Sequence, residues 1–245
     1  MTQPHERDGR LSVGIIGAGR VGPVLGVALA GAGHQVVAIS AISEASRDRA
    51  HALLPGVPVL DIARVVEAAE LIILAVPDAS LEALVAGLAA TNTWRAGQIV
   101  LHTSPKFGIS VLEPATAAGV IPLALHPAMS FTGTSVDVHR LTDAYVAVTA
   151  PSPVLPIGQA LAVELGAEPI VVPESKRAAY AEAILTASDF SAAIVAQASG
   201  LLADIGVERP GRILAPLIRS AVDNALASQG DASRLLYIDV EDDLS

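Results

Sequence analysis

Three glycines near the start of the chain, in Gly17-Ala18-Gly19-Arg20-Val21-Gly22, have the type and spacing to hold a diphosphate. Gly17 permits a tight turn, Gly19 lets the backbone approach the phosphates, and Gly22 allows a helix to pack closely on a strand. A helix amino terminus adds unpaired N–H groups and the positive end of a dipole. The apolar run Val13–Ile16 before the glycines, and the small-residue helical pattern Val21–Ala32 after them, supply the strand–turn–helix context. Glycines alone also mark structural turns, so it is this context that points to a dinucleotide.

Residues able to move protons or hold a small substrate gather at the ends of three later apolar runs. These read Ala75-Val76-Pro77-Asp78, Leu101-His102-Thr103-Ser104-Pro105-Lys106 and Leu125-His126-Pro127-Ala128-Met129-Ser130. In an open parallel sheet, ligands lie beyond the carboxyl ends of the strands. Imidazole titrates near neutrality, which makes His126 the first candidate proton donor and His102 the second. A buried histidine bonded to backbone is the commoner case for either. Ser104 and Thr103 suit a substrate carbonyl or carboxylate, or a cap for the following helical turn. Val76-Pro77-Asp78 is placed to pass a nicotinamide ribose, or is an ordinary Pro-Asp helix start.

A later helical stretch carries Glu182, Thr186 and Asp189, spaced by four and three and therefore on one face. Carboxylates on a mostly apolar helix need water, a partner or a ligand pocket, so these three are substrate-binding candidates. Lys176 and Arg177, at the start of that stretch, read as a solvated flank. Two histidines without a spaced third ligand make no metal site. The full sequence has no cysteine, which excludes disulfides, thiolate metal sites and a cysteine nucleophile.

The elements that must position these residues alternate along the chain. Strands are predicted near Val13–Ile16, Gln35–Ile39, Leu71–Val76, Gln98–Leu101 and Ile121–Leu125, with a short one at Val57–Leu60. Helices are predicted near Val21–Ala32, Glu44–Leu54, Ser80–Ala89 and Ser110–Ala118. Continuous apolar strands alternating with helices imply a doubly wound, mostly parallel α/β sheet covered on both faces. Strands Ala144–Thr149 and Glu168–Val172, flanking a helix near Pro156–Leu165, extend it.

At Pro173 the pattern changes to nearly continuous helix as far as Ile205, followed by Pro210–Ala227 with Pro216 set to kink or split it. Apolar residues surround most of the long helix, including Ile184, Phe190, Ile194 and Leu201, so it needs cover on several sides. A second subunit supplies that cover, which predicts a homodimer through the carboxyl-terminal helices. The implied organisation is a flexible 1–10, a dinucleotide-binding domain over 11–173, an all-helical domain over 174–230 and an acidic tail over 231–245.

Fifteen basic against 25 acidic residues, a formal charge of −10, disfavour nucleic acid and anionic membrane surfaces as partners. The first ten residues lack the apolar core of a signal peptide. The apolar runs are broken by Gly, Pro or charge before reaching spanning length. A cytoplasmic protein is the expectation.

The second strand ends Ser40-Ala41-Ile42-Ser43, without the acid that holds the adenosine ribose in NAD sites. Ser40, Ser43 and Arg47 suit a 2′-phosphate, and Arg20 is a further candidate, which favours NADP over NAD. Arg47 and Arg49 are also readable as solvated helix residues. The missing acid likewise disfavours S-adenosylmethionine.

The blocks GIIGAGRVG, AELIILAVPD, GQIVLHTS and PLALHPAMSFTG resemble those of a bacterial Rossmann-like oxidoreductase family with a C-terminal domain of unknown function. That family belongs to the 6-phosphogluconate dehydrogenase-like superfamily and is similar to pyrroline-5-carboxylate reductases and deazaflavin-dependent NADP reductases. The resemblance implies that Gly17–Gly22 and Val76–Asp78 contact the cofactor, and that His102, Thr103, Ser104 and His126 line the substrate side of the nicotinamide. It implies dimerisation through a helical tail that completes the active site, and NADPH-linked reduction of a small ketoacid (ketopantoate among them) or imine. The chain departs from the family at Pro105, where Gly is common, at Ala181 after Tyr180, where Tyr-His is typical, and at Asp189, in an Asn-like place. These departures favour a second function, a non-catalytic dinucleotide sensor or partner protein; a third, a deazaflavin-linked reductase, would require a second cofactor beside the nicotinamide.

Overall fold

Apolar runs that follow one another at short intervals must pair side by side, and the connections between them decide the order. The computed structural model describes residues 10–228. Its first half contains β1 (Ser12–Ile16), α1 (Gly22–Gly31), β2 (Gln35–Ser40), α2 (Glu44–Leu53), α3 (Ile62–Ala68), β3 (Leu71–Leu74), α4 (Asp78–Ala90) and β4 (Ile99–His102). There follow α5 (Glu113–Thr116), β5 (Ile121–Pro127), α6 (Val136–Arg140), β6 (Tyr145–Thr149), α7 (Leu155–Glu164) and β7 (Glu168–Val171). Two long helices complete the described chain, α8 (Arg177–Asp204) and α9 (Pro210–Ala227). Apart from Arg10, the segments expected to be a flexible start and an acidic tail lie outside the described residues.

The strands form one sheet in the order β2-β1-β3-β4-β5-β6-β7. Every neighbouring pair is parallel except β5–β6, which is antiparallel. Side chains alternate across it. Val13, Ile15, Leu71, Ile73, Leu101 and Leu123 bury one face, and Ile16, Ile72, Leu74 and Val100 the other, beneath Val65 and Val66 of α3 and Leu81 and Val85 of α4. The short strand expected at Val57–Leu60 shrinks to one parallel bridge, Val59 to Ile39. Pro58 interrupts that run and has no N–H for a ladder. The chain thus travels outward from β1 through β2 to this bridge, then crosses back to β3. A reversal of direction of this kind leaves a crevice at the carboxyl ends of β1 and β3.

Two helices depart from sequence expectation. α3 is capped by Asp61, whose side chain accepts from Arg64 N, and buries Val65 and Val66 on the sheet; at seven residues its period is too short to stand out. The helix expected over Ser110–Ala118 is a 3₁₀ turn, Ile109–Leu112, leading into α5, because Pro114 lacks the N–H needed to continue the turn before it.

By its contacts the chain forms two compact units, which meet within α8 at residues 185 and 186. In the first, α8 buries Arg177 and Ala181. In the second, α9 runs unbroken through Pro216, so the expected split is not found. The stretch Glu174–Asp204 is long and apolar enough, by length and composition, to cross a bilayer, and its most apolar 18-residue window is wholly unburied. This corrects the expectation that every apolar run stops short of spanning length: the charges along it are sparse.

Candidate functional site

The glycine turn leaves β1 with Gly17 at φ +107°, a conformation that side-chain-bearing residues rarely adopt. A Cβ on Gly17 would lie 2.4 Å from Ala75 O, and one on Gly22 would lie 2.2 Å from Gly17 O. The same construction on Gly19 meets no atom within 4 Å. The outer glycines are therefore demanded by the fold, whereas the middle one borders open space. Gly17 N donates to Ser40 Oγ (3.2 Å) and Ala18 N to Ser40 O (3.0 Å). Among the described residues the amides of Gly19, Arg20 and Val21 have no acceptor. The turn is thus pinned by two amides and presents three.

At the end of β2, Ser40 is buried and its hydroxyl is engaged by the turn. Ser43 is exposed and caps α2 by accepting from Ser46 N (3.2 Å). Arg47 is exposed and has no side-chain partner among the described residues. Arg49 reaches back to donate to Ala18 O (3.0 Å), so it braces the turn instead of facing solvent as a helix flank.

A cavity of about 290 Å³ opens at the carboxyl ends of the strands. It brings together Arg20 and Val21 of the glycine turn, Val76 and Asp78 after β3, Thr103 and Ser104 after β4, and His126 of β5. Met129 and Phe131 add an apolar wall. Pro77 is exposed and precedes α4. A larger cavity, about 360 Å³, lies at the opposite ends of the strands beside Glu70 and Arg95. Its ionic groups are already engaged, Glu70 by Ser12 and Arg95 by Ala69 O, so it offers less chemistry.

The two candidate histidines differ in what their nitrogens do. His102 pairs with Ala124 across β4–β5, two residues before His126, which places both imidazoles on one face of the sheet. His102 is fully buried; its Nε2 lies 2.7 Å from Gly108 O, and its Nδ1 accepts from Ser104 N at 3.3 Å. A carbonyl can only accept, so the proton sits on Nε2. Burial pushes this imidazole down to about 4. It is neutral, with both nitrogens engaged, and it holds the turn that presents Ser104. Ser104 Oγ accepts from Lys106 N and Phe107 N (3.1 and 3.2 Å), which leaves the hydroxyl proton for a ligand.

His126 Nδ1 lies 2.8 Å from the Tyr180 hydroxyl, and the two rings meet edge to face at 5.6 Å between centroids. Its Nε2 has no partner among the described residues. Burial first, and then the positive Arg177 nearby, lower this imidazole to about 4 as well.

Tyr180 belongs to a row that local sequence did not disclose. Glu174, Arg177 and Tyr180 are three apart, on one side of the chain entering α8, and each reaches a different part of the sheet domain. Glu174 accepts from Ile109 N and Ser110 N (2.7 and 3.2 Å). Arg177 is 1% exposed, and far from being a solvated flank it is the most buried cation of the described chain. Its Nε donates to Thr149 Oγ1, and its Nη2 donates to Ala124 O and Ala147 O (2.8 and 3.0 Å). Nη1 is buried without a partner. Burial lowers the guanidinium to about 10, which still leaves it charged at neutral pH. Glu182, Thr186 and Asp189 are exposed along α8, and none has a side-chain partner among the described residues.

A parallel sheet with its reversal point at β1/β3, a pinned glycine turn there, and polar strand ends beyond it define a dinucleotide-binding fold. Residues 1–127 match the family described as Rossmann-like domain, and residues 144–234 the domain of unknown function DUF2520. The chain belongs to this family of Rossmann-like proteins with a DUF2520 carboxyl-terminal domain. No curated protein matches it. Among solved structures, a Bacteroides fragilis protein provisionally designated an NADP oxidoreductase is 21% identical, with a TM-score of 0.74 over 88% of this chain and 80% of its own. An imine reductase from Pseudomonas sp. is 16% identical, with a TM-score of 0.67 over 91% and 77%. A 1-pyrroline-5-carboxylate reductase from Streptococcus pyogenes is 15% identical, with a TM-score of 0.66 over 90% and 81%. At these identities the likeness is one of fold.

Proposed function

We propose that this protein is an NADP(H)-dependent oxidoreductase that reduces a small polar carbonyl or imine. The observation that carries this function is a convergence: the glycine turn that presents three unpaired amides, the Ser104 hydroxyl and His126 border one cavity at the reversal point of the sheet. The open space at Gly19 fits a diphosphate held by Gly17, Ala18, Gly19, Arg20, Val21 and Gly22. Ser43 and Arg47, exposed where NAD sites carry an acid, suit a 2′-phosphate, and Val76, Pro77 and Asp78 suit the nicotinamide ribose. When bound, the reduced nicotinamide supplies the hydride. The protein's own part is to orient the acceptor through Ser104 and Thr103, to exclude water with Met129 and Phe131, and to deliver a proton from His126 Nε2. Proteins of the same fold include an imine reductase and a pyrroline-carboxylate reductase, which supports a C=N or C=O acceptor. Thermal melting with NADPH, NADH and S-adenosylmethionine in parallel tests the cofactor, since a ligand of the folded form raises the midpoint by mass action. NADPH should give the largest rise. A larger rise with NADH would overturn the 2′-phosphate assignment, and no rise with either coenzyme would overturn the function. A panel of ketoacids and cyclic imines then tests the acceptor.

The functional unit in this proposal is a homodimer joined through α8 and α9. Phe190, Ile194, Leu201 and Ile205 of the long helical region are 66, 59, 63 and 76% exposed, large apolar side chains at helical spacing of the kind that marks an interaction surface. A bilayer would meet the line of Glu182, Thr186 and Asp189 on the same helix, which favours a second copy of the chain with room for water along that line. Sedimentation should give a dimer that Phe190→Glu dissociates. A monomeric wild type, or co-flotation with lipid vesicles, would overturn this assembly.

A further inference from the structure

A neutral imidazole is a poor acid, and His126 is held neutral at physiological pH by burial and by Arg177. If it is to give a proton to the acceptor, as the function proposed above requires, the proton must be replaced as it leaves. The geometry points to Tyr180 as the residue that sets the His126 tautomer and recharges it: the phenol donates to Nδ1, keeps the imidazole proton on Nε2 facing the cavity, and passes its own proton to Nδ1 when Nε2 releases one.

Three features of the corner support this direction. The Tyr180 hydroxyl is 2.8 Å from Nδ1, and among the described residues it has no other partner. The Arg177 guanidinium lies over the Tyr180 ring, 5.8 Å from its centroid, and can donate but never accept. That guanidinium is fixed by three acceptors on β5 and β6, and it keeps one donor nitrogen buried and unpaired. The corner therefore carries a positive charge that its neighbours compensate incompletely.

The step balances as a proton transfer. The His126 Nε2–H bond breaks as the acceptor's heteroatom gains hydrogen, and the Tyr180 O–H bond breaks as Nδ1–H forms. The charge left on the phenolate is offset by Arg177, whose guanidinium lies over the ring, and the corner resets when a proton from solvent in the cavity reaches Nε2 and Nδ1 returns its own to the phenolate oxygen. Burial holds the phenol above its ordinary value and Arg177 opposes that effect, so Tyr180 enters the step protonated. Tyr180 acts through His126 and is a positioning residue, not a group that touches substrate.

The groups that bear on His126 are Arg177 and Tyr180 from α8 and His102 from β4. Nitrogen-15 NMR of histidine-labelled full-length protein reads the tautomer without coenzyme or substrate, with His126→Asn assigning the signal. At pH 7 the wild type should show the Nε2–H form alone. Tyr180→Phe, which keeps the ring and loses the hydroxyl, should yield a mixture of tautomers. A wild-type Nδ1–H form, or a Tyr180→Phe spectrum identical to wild type, would overturn the assignment even if the reductase function stands. Where the acceptor panel finds a substrate, Tyr180→Phe should lose up to about 10²-fold in turnover at pH 7. It should regain activity roughly tenfold per pH unit on acidification, because only the imidazolium can then donate, and the wild type should lack that slope. Equal pH profiles would count against the relay, and failure of every substrate would sink the function while leaving the tautomer result intact.

Discussion

The glycine turn and the His126 corner border the same cavity but are made in opposite ways. The turn is six consecutive residues whose working groups are main-chain amides, and it depends on the absence of side chains at Gly17 and Gly22. The corner is all side chain, and His126 is held by a tyrosine 54 residues away whose helix is anchored by a buried arginine. A site divided in this way separates holding a coenzyme from handling a proton, so substitutions should damage one function and spare the other.

The largest effect is expected where fold and binding coincide. Gly17→Ala places a Cβ against Ala75 O in a backbone conformation that alone costs about 1–3 kcal/mol, so both stability and any NADPH-induced rise in melting point should be lost. Gly19→Ala is its control: with nothing near the new methyl, the stability of the free protein should stay within about 0.5 kcal/mol of wild type. The NADPH-induced rise should nonetheless shrink, because only a bound ligand occupies that space. Equal loss of stability in both variants would show that the turn is structural throughout.

On the other side of the division, His126→Asn should leave the NADPH-induced rise intact while turnover falls by about 10²–10⁴-fold, the usual range for a lost acid–base group. Steady-state assay beside thermal melting checks both halves. Undiminished turnover would remove His126 from the mechanism.

The same contrast explains what could be read from the chain. The turn was legible because its chemistry is contiguous and its flanks, an apolar strand and a small-residue helix, are local. The sheet was legible for a similar reason, since Leu71–Leu74 and Ile99–His102 are unbroken buried runs. Arg177 was not legible. Nothing adjacent distinguishes it from Lys176, which is exposed, because its acceptors on Thr149, Ala147 and Ala124 lie 28, 30 and 53 residues away. The available signal was the spacing of Glu174, Arg177 and Tyr180 directly after Pro173, which puts an acid, a base and a phenol on one side of a helix entrance. Ser40 shows a second long-range tie that the local pattern does not display: its hydroxyl, at the end of β2, accepts from Gly17 N of the turn.

The last predicted effect, the narrowest in the conditions that reveal it, is the pH dependence that His102 contributes to stability. His102 is protonated in the unfolded chain as pH falls through about 6.5, but in the folded protein not until about 4. Between those values the unfolded state binds more protons, so stability declines as the medium becomes more acid and levels off below the folded value. The difference corresponds to about 3 kcal/mol for a group buried as completely as this one. His102→Gln retains a donor toward Gly108 O and cannot ionise, so urea unfolding at pH 7 and pH 4.5 should show a smaller acid loss than in wild type. His126 keeps its own share of the slope, because it too is held neutral. If His102→Gln and wild type lose the same stability on acidification, the His102 imidazole is not held neutral by burial, and its role in shaping the Ser104 turn must rest on hydrogen bonds alone.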